Sequence, residues 1–169
     1  MKIQLFALAL IATAGTASAS SLRSEIETMN RAVLRSMMKQ DISMFVRLEK
    51  GNVTPDFKYT ESGQSLDFDT MVKMMKKGFA MYTKMVSATT KTIKVTENGK
   101  TGTSMSIHHT AGKIMGADKK SHLLVVDGKS SGTYVKVNGK WMMSGMHWLS
   151  TKMTMDGKPM APEKMGEPK

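Results

Sequence analysis

Four residues of this chain have the types needed for acid–base chemistry, provided the fold brings them together: His109, His147, Glu61 and Asp127. An imidazole beside a carboxylate in an apolar cavity makes a general acid–base or metal site. The argument for convergence is strand periodicity, because successive side chains of a strand point to opposite faces. Over 140–150, Trp141, Met143, Gly145 and His147 share one parity. Over 101–113, Met105, Ile107, His109 and Ala111 share one. Trp141 and Met143 read as core, so His147 is expected to follow them inward. Ile107 is expected to carry His109 the same way, leaving Ser104, Ser106, His108 and Thr110 outside. Each histidine is better explained as a hydrogen-bonded rim residue with no chemistry.

A second group carries soft ligands. The chain has 19 methionines, and Met142, Met146, His147 and Trp148 lie close together. Thioethers bind Cu(I). The two-residue period puts Met142, Met146 and Trp148 on one side, and Met143 and His147 on the other. No face then holds a complete copper set. Met29, Met37, Met71 and Met75 fall at helical core spacings, and core filling explains most of the methionine. No metal and no cofactor are expected. The chain has no phosphate-cradling glycine loop, no His-Glu-x-x-His and no Gly-x-Ser-x-Gly. It has no cysteine, so a thiol nucleophile and a disulfide are both excluded.

The elements that must position these residues follow from periodicity and turn chemistry. Apolar residues at Leu22, Ile26, Met29, Val33 and Met37 predict a helix over 20–40. Asp41 caps a short second helix over 42–48. Strands are expected over 55–61 and 64–68, joined by Ser62-Gly63. Asp67 or Asp69 caps a third helix over 70–85. From Ser87 the period becomes two, with strands over 89–96, 101–113, 121–137 and 140–150. Asn98-Gly99 and Asn138-Gly139 are tight-hairpin signals. Asp127-Gly128 reads as a bulge or bend within its strand. Helices first and strands later mean an α+β fold.

Residues 1–19 read as an address rather than structure. Met1-Lys2 is positive, 3–14 is apolar, and Ala17-Ser18-Ala19 is a small-x-small cleavage site. This is the secretory signal pattern, too short for a membrane helix. The mature chain is expected to begin near Ser20 as one domain over 20–158. A loose tail follows over 159–169, and the destination is the periplasm or the exterior, with no membrane span after cleavage. The formal charge is +11, and removal of Lys2 leaves the mature chain still basic. The lysines are scattered singly and no arginine cluster exists, so nucleic acid is not an expected partner.

Four segments carry a family resemblance: Asp41-Ile42-Ser43-Met44-Phe45, Thr54-Pro55-Asp56-Phe57, Val137-Asn138-Gly139-Lys140-Trp141 and His147-Trp148-Leu149-Ser150. In order and spacing they resemble the nuclear transport factor 2-like, or SnoaL-like, superfamily, over roughly 21–158. The close resembles that of its small exported bacterial members. The resemblance implies a cone: a strongly curved antiparallel sheet wraps N-terminal helices and leaves a pocket at its open end. It implies pocket walls from Tyr59, Met75, Phe79, Met105 and Ile107, with His109, Trp141, Met143 and His147. It also implies a dimer surface on the outer sheet face.

The superfamily holds ketosteroid isomerases, dehydratases and polyketide cyclases beside non-catalytic modules, so fold leaves function open. The isomerase site needs a carboxylate base, a tyrosine and a protonated carboxylic acid. Glu61 stands where the base would fall, but 20–40 contains no tyrosine, and the acid's strand offers Met105, Ile107 and His109. The dehydratase pattern is partly present. The expected function is non-catalytic: binding of a small apolar or amphipathic molecule, or interaction and dimerisation. The alternatives are a small lyase, isomerase or hydrolase using His109, His147 and a carboxylate, and copper handling through the Met/His/Trp end.

Overall fold

A computed structural model describes residues 21–160. The expected signal segment and most of the expected tail lie outside these residues. Helix α1 spans Leu22–Met38, and the Ser21 hydroxyl accepts from the Ser24 amide to cap it. Helix α2 spans Ile42–Lys50, capped by Asp41 through the Met44 amide. Such caps contribute about 1 kcal/mol each. Strands β1 (Val53–Glu61) and β2 (Gln64–Leu66) form a short hairpin, and α3 (Phe68–Met81) follows, with Asp67 on the Thr70 amide. The helix expected over 70–85 ends early. Tyr82 already opens β3 (Tyr82–Asn98), and Met85 is buried as a strand residue. Threonine and valine beyond Tyr82 favour a pleated surface over a helix.

Strands β4 (Thr101–Met115), β5 (Ser121–Val137) and β6 (Lys140–Met155) complete a meander with β3. The sheet order is β2-β1-β6-β5-β4-β3, and β7 (Lys158–Met160) pairs with β6. Pro159 and Met160, read from sequence as the start of a loose tail, are strand residues paired with Thr154 and Met153. The sheet is antiparallel except that β1 runs parallel to β6. Asn138 and Gly139 both have positive φ (50° and 84°), as the tight hairpin turn requires. The helices cover one face. Leu22 and Ile26 of α1 and Met71 and Val72 of α3 pack with Phe57, Tyr59, Tyr134, Trp141 and Met143. No helix among the described residues is long and apolar enough to cross a membrane.

Two register shifts decide which side chains enter the core. β4 and β5 pair without interruption, so no bulge lies at Asp127-Gly128. Between β5 and β6 the extra residues are in β6. Tyr134 pairs with Met143 but Thr133 pairs with Gly145, which makes Ser144 an extra residue, and Leu149 is extra in the same way. A bulge reverses the parity beyond it. Trp141 and Met143 point inward, as expected. Past Ser144 it is Met146 and Trp148 that join the core, and His147 is exposed.

The end of the sheet is held by a side-chain latch. His122 Nδ1 lies 2.6 Å from Asp156 and its Nε2 lies 2.9 Å from Asp118, joining the β4–β5 turn to the β6–β7 turn. Hydrogen bonds to both carboxylates raise the His122 pKa above its ordinary value, and the same bonds hold both aspartates below their usual range. A raised histidine pKa stabilises the fold below the unfolded value and loses that effect as pH rises through the folded value. Amide exchange of 154–160, corrected for intrinsic rates, is therefore expected to speed up above neutral pH. His122→Gln should remove this pH dependence. Exchange that is pH-independent in the unsubstituted chain would contradict the latch.

Candidate functional site

The inward face of the sheet is lined by small and polar residues. In β4 these are Gly102, Ser104, Ser106 and His108, and in β5 Gly128, Ser130, Gly132 and Tyr134. Ser104, Ser106 and Ser130 are buried. This reverses the expected parity of β4: Ile107 is 43% exposed and His109 is on the outer face, while His108 points in. The physical reason is space. A Cβ on Gly128 would collide with the Trp148 ring, and one on Gly112 would collide with Tyr82. Bulky side chains from neighbouring strands lie over these positions, so the sheet beneath them must be thin.

Interior polar groups are satisfied in small separate sets. The His108 ring stacks on Trp148 with centroids 4.8 Å apart. Its Nε2 lies 2.7 Å from the Ser130 hydroxyl and its Nδ1 lies 3.1 Å from the Thr90 hydroxyl. Burial lowers its pKa to about 4, so it is neutral at physiological pH. Nearby, the Tyr59 hydroxyl donates to Glu61 at 2.6 Å, and Thr151 donates to the other Glu61 oxygen at 3.3 Å. Burial and the Glu61 carboxylate raise the Tyr59 pKa, with the Trp148 indole partly offsetting them. Ser104 donates to the Tyr134 hydroxyl at 3.3 Å. Burial of its carboxyl pushes Glu49 of α2 to about 7.

The sequence-expected acid–base residues do not converge. His109 and Asp127 meet, with Nδ1 2.8 Å from Oδ1, but both are substantially exposed on the open face. His147 pairs with Ser131, four β5 residues from Asp127 and one strand beyond it, which strand geometry places more than ~10 Å from His109. Glu61 sits at the β1 end beside Tyr59. The expected pocket walls are likewise divided. Tyr59, Trp141 and Met143 are core. Met75 and Phe79 are half-buried on α3, Phe79 against Phe45 at 5.3 Å. Met105, Ile107, His109 and His147 lie on the outer face. The copper candidates divide too: Met146 and Trp148 inward, Met142 and His147 outward. No group of three metal-binding His, Cys, Asp or Glu side chains occurs among the described residues.

Sequence reasoning missed His108, Ser130 and Trp148. The signal that would have found them is glycine: Gly102 and Gly112 in β4, and Gly128 and Gly132 in β5, share the parity of the inward residues.

Concavities of different kinds result. Inside, the voids beside Trp141 and beside Tyr59 measure about 20 and 30 Å³. On the open face, a concavity of about 540 Å³ is bounded by Thr89, Lys91, Ile107, His109, Asp127, Lys129 and Lys152.

The packing of Trp148 is testable through Gly128. Gly128→Ala is expected to cost about 1–3 kcal/mol through overpacking and to displace the indole toward water, read as a lower melting temperature and red-shifted tryptophan emission. Unchanged stability and emission would contradict this arrangement.

No protein-family model and no curated protein sequence matches this chain. Solved structures do. A hexachlorocyclohexane dehydrochlorinase of type 2 aligns with TM-score 0.60 and 11% identity, over 86% of this chain and 93% of that one. A nuclear transport factor 2-like protein of unknown function from Prochlorococcus marinus aligns at 0.58 and 19% identity, over 78% and 94%. A nuclear transport factor 2-like superfamily protein from Salmonella enterica aligns at 0.54 and 15%, over 85% and 93%. At these identities the likeness is one of fold. Helices leading into a curved, unclosed sheet, matched across most of the chain, give this protein the nuclear transport factor 2-like fold.

Proposed function

We propose that this chain is an exported, non-catalytic binding module that takes a small amphipathic molecule on its open sheet face rather than inside the cone. The observation that carries this reading is the contrast between the interior voids and the open-face concavity. Voids of about 20 and 30 Å³ beside the buried aromatics hold a water molecule at most. The open-face concavity of about 540 Å³ falls within the ordinary size of small-molecule sites, and Ile107 supplies an apolar wall.

Catalysis is the less favoured reading because its groups are engaged or unenclosed. Both His108 nitrogens are held by hydroxyls, and Ser130 is only 3% exposed. The His109–Asp127 pair faces solvent in an open concavity that does not exclude water from it. The fold itself does not choose, since enzymes and binding modules share it. Export rests on the N-terminal pattern of residues 1–19.

Native mass spectrometry of the full chain recovered from the exported fraction of its own host tests the reading. The expected result is an added mass of a few hundred daltons that is lost in Ile107→Glu while the circular dichroism spectrum is retained. A bare dimer that Ile107→Glu dissociates would overturn small-molecule binding in favour of self-association through the same face. Bare monomer from both proteins would overturn the assignment to this face.

A further inference from the structure

We infer that the open-face concavity takes the acid head of an anionic amphiphile, with the head between Lys91 and Lys129 and the chain along Ile107; this rests on the binding reading above. The register places the groups. One rung across four strands reads Lys91, Ile107, Lys129 and Ser150, and the next reads Thr89, His109, Asp127 and Lys152. Ile107 is therefore flanked on both sides by a lysine of the neighbouring strand. All of these side chains line the concavity.

The charge is unbalanced. Three ammonium groups, Lys91, Lys129 and Lys152, meet one carboxylate, Asp127, and His109 already lies 2.8 Å from that carboxylate. None of the three ammonium groups has a hydrogen bond or ion pair among the described residues. Like charges held over an apolar floor repel one another, and an anion placed between them relieves the repulsion. A neutral ligand gains nothing from this arrangement. A purely inorganic anion leaves Ile107 in water. An alkyl chain ending in a carboxylate or phosphate satisfies both features.

The probes are decanoate and decanol, titrated into the mature protein with backbone amide shifts recorded by NMR. Decanoate is expected to shift amides of 89–91, 107–109, 127–129 and 150–152, and to bind about tenfold more tightly than decanol, since each exposed ion pair contributes only a fraction of that factor. Lys91→Gln/Lys129→Gln should bring the two affinities together, whereas Lys77→Gln/Lys100→Gln, away from the concavity, should not. Rising salt should weaken decanoate alone. Co-sedimentation with phosphatidylglycerol vesicles but not phosphatidylcholine vesicles would assign the head to a membrane lipid, and decanoate binding without vesicle binding would assign it to a free acid. Either result supports the inference. Equal binding of decanoate and decanol at these amides would overturn the acid-head inference while leaving the open-face reading intact. Absence of open-face shifts with both probes and with vesicles would overturn both.

Discussion

The arrangement of this molecule depends on bulky side chains lying over sheet positions that have no Cβ. Trp148 covers Gly128, Tyr82 covers Gly112, and Leu22 and Trp141 crowd Gly102. A sheet curved around helices must fit its aromatic residues somewhere, and here they lie flat along the inward face instead of standing up from it. The result is a filled cone. His108 is desolvated because Trp148 covers it, and its low pKa follows from that burial rather than from a neighbouring charge. Ser130, Ser104 and Ser106 are buried because only short side chains fit beneath the aromatics, and hydrogen bonds to His108, Tyr134 and Thr92 satisfy them.

The filling of the interior has a consequence for the other face. With small residues inside, larger side chains are left outside: Met105 and Ile107 of β4, Lys91 of β3, Lys129 of β5 and Lys152 of β6. The bulge at Ser144 acts in the same direction, turning His147 out and Trp148 in. A strand without that bulge would put His147 beside the core and Trp148 in solvent. The open face thus acquires both apolar surface and unpaired positive charge, the two properties an amphipathic anion needs. The high net charge of the chain, +11 overall, finds a local expression there.

Much of the architecture was legible in the residue pattern. The caps Ser21, Asp41 and Asp67, the Asn-Gly turns and the two-residue period after Ser87 place the elements, and their order identifies the fold. The face assignment was not legible, for a physical reason. Apolar-inside reasoning assumes that core positions are large, but the core side of β4 reads Gly102, Ser104, Ser106, His108. A bulge adds one residue without any composition signal strong enough to betray it, so strict alternation puts 145–148, between the extra residues Ser144 and Leu149, on the wrong side. His109 meets Asp127, one of the two candidate carboxylates, but on the open face rather than inside.

The central claim is that the interior is closed around His108, and an NMR titration of the histidine side chains tests it most directly. With the interior closed, one of the four imidazoles, assigned to His108 by its loss in His108→Gln, stays neutral down to about pH 4 and shows contacts to the Trp148 ring. A His108 that titrates near 6.5 without those contacts would mean a water-filled cone, and the ligand site would then belong inside it.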